Sequence, residues 1–398
     1  MEVIVLCGGL GTRLRPVLPE CPKCMAPVAG KPFLHYLLRW LSEAGAGHVV
    51  FSVGYLREQV MAYVRAGDWA FRTDFAVEET PLGTGGGIRL ALSLCTEETV
   101  FVVNGDTFFP VPLAEMPADA PISLSLKPMR NFSRYGAVET EGGRVRAFRE
   151  KAPCAEGCIN GGVYRLRPAL IDWTALPEKF SFEKEVLQPM AAAGQVAGWV
   201  SDRYFIDIGI PEDYARAQRE LPEWQALADV SASLLAARAD TLFLDRDGVV
   251  NRLIPGDYVR TPEQFRFLPG MPETLALWAG KFRRIVMVTN QRGVGRGLMT
   301  DADLARIHAG MMSAILAAGG RIDLLLACTS ADEQDPRRKP NPGMFREACA
   351  LFPEIRAEES IMLGDSASDA AFAAACGMPF ILLKVPEAAS WDSWERPV

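Results

Sequence analysis

Glu2-Val-Ile-Val-Leu-Cys-Gly-Gly-Leu-Gly-Thr-Arg-Leu-Arg-Pro16 is a strand pattern that leads directly into a glycine-rich turn. The apolar run at 2–7 predicts a buried strand. The glycines that follow leave backbone N–H groups bare, so these groups can surround phosphate oxygens without a side-chain clash. A tight connection between a strand and a helix would explain the glycines but not the two arginines inside the turn. The stretch therefore favours a phosphate site at the end of the first strand.

Further strand-like runs alternate with amphipathic stretches along the first half of the chain. Apolar runs occur at 48–53 and 99–103, and amphipathic stretches occur at 31–44, 55–66 and 86–95. This alternation is typical of a mostly parallel α/β sheet. In such sheets ligands bind at the carboxyl ends of the strands, which is where the glycine turn lies.

The same pattern starts again near residue 240. Thr241-Leu-Phe-Leu244, Arg284-Ile-Val-Met-Val288 and Ser360-Ile-Met-Leu363 predict buried strands, and helical stretches separate them. A second α/β sheet is therefore expected in the second half of the chain.

A helical connection is predicted between the two sheets. Residues 212–238 suit a helix, a break at Leu221-Pro222 and then an Ala/Leu-rich helix. We therefore expect a first domain at 1–225, a fairly stiff helical linker at 226–239 and a second domain at 240–398. Both domains are predicted to be three-layer, Rossmann-like α/β folds.

Composition and charge exclude several classes of function. The 398 residues include 42 Lys and Arg against 49 Asp and Glu, a net charge of −7, and no basic cluster is long enough to follow a polynucleotide backbone. We expect no nucleic-acid partner. No apolar run approaches membrane-spanning length, and no basic segment precedes the first strand, so we expect a cytoplasmic protein without a membrane partner. These features are compatible with a homo-oligomer.

The nine cysteines are odd in number and scattered, which is typical of free thiols in a reducing compartment. Cys21 with Cys24, and Cys154 with Cys158, have spacings that suit zinc. However, the chain has three histidines, and the first pair encloses a lysine that is needed elsewhere. No zinc is expected.

Several motifs follow the glycine turn in a fixed order. They are Pro22-Lys23, Met25-Ala-Pro-Val28, Gly30-Lys-Pro32, Pro81-Leu-Gly-Thr-Gly-Gly86, Asn104-Gly-Asp106, Glu150-Lys151, Asn160-Gly-Gly162 and Phe205-Ile-Asp-Ile-Gly209. Together they closely resemble the signature of the sugar-phosphate nucleotidyltransferase family across residues 1–220. The resemblance implies that the oxygen of a sugar 1-phosphate attacks the α-phosphate of a nucleoside triphosphate.

The resemblance also implies a role for each motif residue. Arg13 and Lys23 would neutralise the triphosphate, and Asp106 and Asp207 would hold Mg²⁺. Taken singly, Asp106 suits a turn and Asp207 suits the start of a helix, and it is their order in the chain that favours the metal role. The implied nucleotide ligands are Leu6, Gly8, Gly9, Gly11, Thr12, Glu78, Pro81, Gly83, Thr84, Asn104 and Gly105, and the implied sugar-phosphate ligands are Gly136, Glu150, Lys151, Asn160 and Gly161.

Glu78 lies just before the predicted base loop. A carboxylate there could accept two hydrogen bonds, and guanine offers two adjacent donors on its Watson–Crick edge. This favours GTP, although an ordinary surface glutamate explains the residue equally well.

The second half of the chain carries a different set of acidic motifs. Phe243-Leu-Asp-Arg-Asp-Gly-Val249 places two carboxylates two residues apart on an extended segment, so both point to the same side and require a cation. Val288-Thr-Asn290, Lys339-Pro340, Gly364-Asp365 and Asp369 follow. This order resembles the haloacid dehalogenase superfamily of phosphotransferases.

By that resemblance, Asp245 is the nucleophile that accepts the phosphoryl group, and Asp247 is the general acid and base. Thr289 and Lys339 would bind the transferring phosphoryl group and keep Asp245 ionised. The implied Mg²⁺ ligands are Asp245, Asp247 and Asp365, with Asp369 outside the ligand set. The implied ligands of the sugar phosphate are Asn290, Arg292, Arg296 and Arg338.

Within the superfamily, Leu244-Asp-Arg-Asp-Gly-Val-Val-Asn251 and Thr289-Asn-Gln-Arg-Gly-Val-Gly-Arg-Gly297 most resemble heptose bisphosphate phosphatases and their histidinol-phosphate relatives. The gaps between motifs are too short for a large cap domain, so a capless fold with an open site is expected. Those relatives usually carry a Cys/His zinc loop, whereas residues 328–338 contain one cysteine and no histidine.

The two resemblances imply consecutive reactions. The second domain would remove the 7-phosphate of D-glycero-D-manno-heptose 1,7-bisphosphate, and the first would transfer a nucleotidyl group to the heptose 1-phosphate. A different sugar 1-phosphate activated with UTP, CTP or ATP, beside another phosphatase, would show the same motifs. A binding or regulatory protein with one inactive domain is disfavoured because Lys23, Asp106 and Asp245 are all present.

Overall fold

The computed structural model describes residues 1–9 and 20–385 and divides into two compact units, Met1–Gln218 and Arg219–Val398. Gly11, Thr12 and Arg13, which the sequence assigns to the nucleotide, lie outside the described residues. Within the described ranges, no helix combines the length and apolar character needed to cross a membrane.

The first unit contains a large sheet with helices packed on it. Its strands are β1 Glu2–Leu6, β2 Pro27–Val28, β3 Lys31–Pro32, β4 His48–Val53, β5 Arg72–Val77, β6 Val100–Asn104, β7 Thr107–Phe108, β8 Ile122–Phe132, β9 Gly136–Glu141, β10 Arg144–Lys151, β11 Cys154–Leu166, β12 Val196–Val200 and β13 Ile206–Asp207. Its helices are α1 Phe33–Glu43, α2 Arg57–Ala66, α3 Gly83–Leu92 and α4 Gln188–Ala192. The strands predicted at 2–7, 48–53 and 99–103 are confirmed as β1, β4 and β6.

The main sheet is mixed rather than mostly parallel. Its order is β5-β4-β1-β6-β11-β8-β12-β10-β9. The first four strands are parallel, as predicted, but β11 pairs antiparallel with both β6 and β8. The prediction of a mostly parallel sheet fails for the strands between 122 and 166. These strands follow one another without a crossover helix, and such strands pair antiparallel.

A single helix, α5 Pro211–Ala236, runs across the boundary between the units. The predicted break at Pro222 is wrong. A proline inside a helix removes one hydrogen bond, and here the burial of Leu221 and Trp224 on either side of it offsets that loss.

The part of α5 that was predicted to be a linker contributes to the core of the second unit. Leu227, Val230 and Leu234 are buried there, and the indole N–H of Trp278 donates to Ser231 Oγ at 3.0 Å. The division at Gln218 and Arg219 accordingly falls earlier than the predicted one.

The second unit is a five-stranded parallel sheet with helices on both faces. Its strands are β14 Thr241–Leu244, β15 Arg284–Asn290, β16 Leu324–Cys328, β17 Ser360–Gly364 and β18 Phe380–Leu382, in the order β16-β15-β14-β17-β18. Its helices are α6 Met271–Lys281, α7 Arg292–Gly295, α8 Asp301–Ala317, α9 Gly343–Leu351 and α10 Ala367–Cys376. The second α/β domain is therefore confirmed, and the acidic motifs follow the central strands β14 and β17.

Two candidate active sites

Two adjoining cavities lie at the carboxyl ends of the parallel strands of the first unit. Their volumes are about 530 and about 570 Å³. Both are lined by Leu6, Lys23, Thr84, Asn104, Asp106 and Gly209. The smaller one, the base cavity, extends towards Gly8, Glu78 and Pro81, and the larger one, the sugar cavity, extends towards Glu150 and Lys151. Two ligands bound in these cavities would meet beside Lys23 and Asp106.

Lys23 links the two aspartates that were predicted to hold a metal. Its Nζ lies 2.5 Å from Asp106 Oδ2 and 3.3 Å from Asp207 Oδ1. Asp207 Oδ1 also accepts a hydrogen bond from the backbone N–H of Gly209 at 2.7 Å. The structure thus brings together three residues that are distant in sequence, at the junction of the cavities.

Burial and neighbouring charges shift the pKa of both Asp207 and Lys23. Burial, followed by the nearby Asp106, raises the pKa of Asp207 above its usual value. Burial also opposes the charged form of Lys23, but Asp106 and Asp207 outweigh it and raise the pKa of the lysine. Two carboxylates this close favour cations beside them, so the donor set fits a magnesium ion.

Glu78 is fixed at the inner wall of the base cavity. Its Oε1 accepts from Ser52 Oγ at 2.8 Å, and its Oε2 accepts from the backbone N–H of Leu82 at 3.0 Å. A Cβ atom at Gly8 would lie 2.5 Å from Glu78 Oε1, and one at Gly87 would lie 2.9 Å from it. Both glycines are therefore required for the carboxylate to occupy this position.

The structure places most of the predicted nucleotide ligands around the base cavity. The residues that line it include Leu6, Gly8, Gly9, Glu78, Pro81, Gly83, Thr84, Asn104 and Gly105. The hydroxyl of Thr84 accepts a hydrogen bond from the backbone N–H of Phe182 at 3.0 Å, so it holds the base loop against the rest of the unit.

The sugar cavity contains four of the five predicted sugar-phosphate ligands, namely Gly136, Glu150, Lys151 and Asn160. Gly161 does not line it. A Cβ at Gly161 would meet the ring of Phe109 at 2.5 Å, so close packing explains this glycine. Arg134 and Tyr135 also line the cavity and were missed, although they directly precede Gly136 in the sequence.

Three aspartates converge at the carboxyl edge of the second sheet. Asp245, Asp365 and Asp369 each place a carboxylate oxygen within 4.8 Å of the others. Burial raises the pKa of Asp245 to about 6, with Lys339 opposing the rise. Burial and the charge of Asp245 raise the pKa of Asp365 to about 7. These oxygens repel one another and fit a divalent cation.

Lys339 supplies fixed positive charge to this cluster. The side chain is 1% exposed, and its Nζ lies 2.8 Å from Asp245 Oδ1 and 2.6 Å from Asp369 Oδ1. Asn290 holds the lysine backbone: Lys339 N donates to Asn290 Oδ1, and Asn290 Nδ2 donates to Lys339 O, both at 3.0 Å. The amide of Asn290 therefore positions the lysine, a role that the sequence did not indicate.

The carboxylate of Asp247 lies outside the group formed by Asp245, Asp365 and Asp369, and its role as a metal ligand stays a prediction. Both of its oxygens accept from Arg246 Nη2 at 2.9 Å. Asn251 Nδ2 donates to Oδ1 at 2.9 Å, and Gln291 Nε2 donates to Oδ2 at 2.7 Å. Burial would raise the pKa of Asp247, but Arg246 and these amides lower it below its usual value. The hydrogen-bond donors around Asp247 therefore fix the orientation of its carboxylate. The third member of the aspartate cluster is Asp369.

A third cavity, of about 210 Å³, opens over the cluster. Asp245, Asp247, Thr289, Asn290, Lys339 and Asp365 line it, together with Leu253, Ile254, Asp257, Tyr258, Val259, Ser366 and Ser368. Five of these lining residues come from the segment 253–259, which the sequence did not single out.

Three arginines predicted to bind the sugar phosphate lie outside the lining of this third cavity. Arg292 and Arg338 instead face the exposed Glu333, at 3.7 and 3.5 Å, and Arg296 is exposed. The carboxylate of Glu333 therefore serves as an ion-pair partner for the partly buried guanidinium groups of Arg292 and Arg338.

Comparison with known proteins finds a family model for a part of each half of the chain. The nucleotidyl transferase family matches residues 2–223, and a HAD-hydrolase-like family matches residues 336–387. A protein of Aneurinibacillus thermoaerophilus named D-glycero-α-D-manno-heptose 1-phosphate guanylyltransferase is 46% identical over 229 residues, which cover 56% of this chain and all of that protein.

Two solved structures are also similar in sequence to parts of this chain. The crystal structure of HddC from Yersinia pseudotuberculosis complexed with GMP-PN is 34% identical and covers 55% of this chain and 97% of that chain, with a TM-score of 0.50. That of D,D-heptose 1,7-bisphosphate phosphatase from B. bronchiseptica, complexed with magnesium and phosphate, is 34% identical and covers 36% of this chain and 79% of that chain, with a TM-score of 0.34.

The fold and the paired cavities of the first unit define a nucleotidyl-transferring enzyme. The chain belongs to the nucleotidyl transferase family, and a HAD-like hydrolase domain follows the transferase domain along the chain.

Proposed function

We propose that this enzyme removes the 7-phosphate of D-glycero-D-manno-heptose 1,7-bisphosphate and then transfers a guanylyl group from GTP to the heptose 1-phosphate. The observation that carries the transferase half is the meeting of two cavities at Lys23 and Asp106, with Asp207 lining the sugar cavity and pairing with Lys23. The observation that carries the phosphatase half is the cluster of Asp245, Lys339, Asp365 and Asp369 beneath a small open cavity.

Nucleotidyl transfer needs two anions to be held together. The 1-phosphate oxygen of the sugar attacks the α-phosphorus of GTP, and the bond to pyrophosphate breaks. Lys23 lies at the junction of the cavities and can stabilise the negative charge that moves onto pyrophosphate. Lys151 and Arg134 supply positive charge in the sugar cavity, where the 1-phosphate would bind.

Guanine selection is assigned to Glu78. Its carboxylate has a fixed orientation in the wall of the base cavity, and each oxygen has a second lone pair beyond the bonds to Ser52 and Leu82. The N1–H and 2-amino groups of guanine would donate to it, whereas adenine presents no such pair. The 46% identity to a guanylyltransferase supports the same base.

Glu78→Gln should raise the KM for GTP about tenfold or more, because a hydrogen bond to a charged group contributes about 1.5–3 kcal/mol. It should also weaken discrimination between GTP and ITP, which lacks the 2-amino group. Steady-state kinetics with the two nucleotides measures both effects. Glu79→Gln is the matched control, since that neighbouring side chain is 79% exposed. Unchanged discrimination in Glu78→Gln would remove Glu78 from base recognition.

Phosphate removal follows from the roles of two aspartates. Asp245 attacks the phosphorus of the 7-phosphate, the bond to the sugar oxygen breaks, and protonated Asp247 gives its proton to that oxygen. Water then attacks the aspartyl phosphate and transfers a proton to ionised Asp247, so phosphate leaves and Asp245 is restored. The hydrogen bonds around Asp247 lower its pKa and so favour the ionised form, which is the state that the second step requires.

Magnesium is proposed at both sites because the carboxylates fit it. Asp106 and Asp207 would hold it in the first unit, and Asp245 and Asp365 in the second. A bound magnesium ion supplies charge neutralisation for the phosphate oxygens. We expect EDTA to abolish both activities and added Mg²⁺ to restore them, and separate assays of phosphate and pyrophosphate release will measure this. Activity that persists after thorough chelation would contradict the assignment.

The heptose assignment rests on agreement between the two halves. The relative of the first unit is named for a heptose 1-phosphate, and the motifs around Asp245 and Thr289 resemble heptose bisphosphate phosphatases. The test is to offer heptose 1,7-bisphosphate of each anomer beside other sugar bisphosphates and to compare kcat/KM for phosphate release. Preference for another sugar by a factor of ten or more would overturn the heptose assignment and leave both reaction types in place.

A further inference from the structure

Beside the phosphatase site, polar contacts link two residues of the acidic motif, Arg246 and Asp247, to a histidine outside the motifs. Arg246 is 0% exposed, although it carries a permanent charge. One end of its guanidinium group engages both oxygens of Asp247, and its Nη1 lies 2.9 Å from His308 Nε2. His308 is on α8, 62 residues further along the chain, and it touches neither the cavity nor the aspartate cluster.

We propose that His308 is a positioning residue for the phosphatase reaction: it fixes the guanidinium of Arg246, and Arg246 fixes the carboxylate of Asp247. The proposal rests on the phosphatase function proposed above. No sequence motif in this chain marks His308.

The contact between Arg246 and His308 fixes which ring nitrogen of the histidine accepts the hydrogen bond. Arginine has only donors, so His308 must present Nε2 as an acceptor, which requires the neutral ring with its proton on Nδ1. Burial, followed by the charge of Arg246, lowers the pKa of His308 to about 4, and the ring is therefore neutral at physiological pH. Without this acceptor, Arg246 would have an unpaired buried N–H and would be free to turn away from Asp247.

The other contacts of Asp247 explain why loss of Arg246 as a partner would change the orientation of its carboxylate. Gln291 Nε2 bridges Asp247 Oδ2 and Thr289 Oγ1, at 2.7 and 2.9 Å, and Asn251 Nδ2 contacts Asp247 Oδ1. Each amide thus contacts one oxygen of the carboxylate, whereas Arg246 contacts both. If Arg246 rotated away, the two amides would still hold Asp247. Its carboxylate would, however, no longer be aligned with the water that attacks the aspartyl phosphate.

The step affected is the second half of the reaction. There, water oxygen bonds to phosphorus, the bond between phosphorus and Asp245 breaks, and the water proton moves to Asp247. p-Nitrophenyl phosphate isolates this step, because nitrophenolate leaves without needing a proton. A misaligned Asp247 should therefore slow the release of phosphate but not the first release of nitrophenolate.

The test is burst kinetics with p-nitrophenyl phosphate on the full chain and on His308→Leu. We expect the variant to release about one nitrophenolate per active site quickly and then to turn over about tenfold more slowly than wild type. kcat and KM should fall together, because the aspartyl phosphate accumulates. His308→Gln, which restores an acceptor close to the position of Nε2, should recover most of the rate. Ala309→Leu, at an exposed position of the same helix, is the matched control.

Three outcomes would overturn the proposal. Unchanged kinetics in His308→Leu would show that the histidine is not needed. Equal loss of the burst and the steady-state rate in a folded variant, verified by its thermal melting curve, would indicate a general structural role. Wild-type protein that releases phosphate from no phosphate ester would overturn the phosphatase function itself, and the positioning role with it.

Discussion

Asp245→Asn is expected to lower phosphate release by about three orders of magnitude or more while nucleotidyl transfer stays at the wild-type rate. The carboxylate of Asp245 is the proposed nucleophile, and an amide is a far weaker one. The carboxylate also lies 2.8 Å from Lys339 and within the group of oxygens that fits a cation, so the substitution removes a negative charge from that group as well. Parallel assays of phosphate from the bisphosphate and pyrophosphate from GTP will measure both effects.

Asp240→Asn provides the matched control, since it makes the same chemical change at an exposed position just before the same strand. It should retain both activities. If Asp245→Asn retained more than about a tenth of the phosphatase rate, the aspartyl-phosphate mechanism would be wrong. If it lost nucleotidyl transfer as well, the two sites would not be independent.

Asp106→Ala is expected to produce the opposite pattern, with nucleotidyl transfer lowered about 100-fold or more and phosphate release unchanged. Asp106 lies where the two cavities of the first unit meet, 2.5 Å from Lys23. Its removal takes away one of the two carboxylates proposed to hold magnesium. Lys23 would then pair with Asp207 alone, and its position relative to the triphosphate would change.

The matched control is Asp68→Ala, at an exposed position beyond α2. Its nucleotidyl transfer should be unchanged. If Asp106→Ala raised the KM for both substrates but left kcat unchanged, Asp106 would act in binding only, and the proposed role in charge stabilisation would be contradicted.

The sequence predicts the parts of the fold that depend on local pattern. The apolar runs that became β1, β4, β6, β14, β15 and β17 are all recognisable, because buried strands need continuous apolar residues. Of the two glycines beside Glu78, Gly8 was visible in the motifs, whereas Gly87 follows the base-loop motif and its close approach to the carboxylate needed the structure.

Features that depend on tertiary packing could not be predicted in this way. The continuity of α5 through Pro222 depends on packing of its flanking residues, and local propensity alone predicts a break. His308 is an ordinary helix residue in sequence, and its contact with Arg246 arises only when α8 packs beside the loop after β14. Likewise, Arg292 and Arg338 suit a phosphate by charge, but the fold directs them towards Glu333.

The most direct test of the account is to incubate the full chain with Mg²⁺, GTP and the α- or β-anomer of D-glycero-D-manno-heptose 1,7-bisphosphate, and to follow all products by mass spectrometry. We predict release of phosphate and pyrophosphate together with a GDP-heptose from at least one anomer. In the same assay, Asp245→Asn should give no phosphate from the bisphosphate but should still convert supplied heptose 1-phosphate to GDP-heptose. Failure of the wild-type chain to release phosphate from either anomer, or to form a nucleotide-heptose from supplied heptose 1-phosphate, would contradict the account.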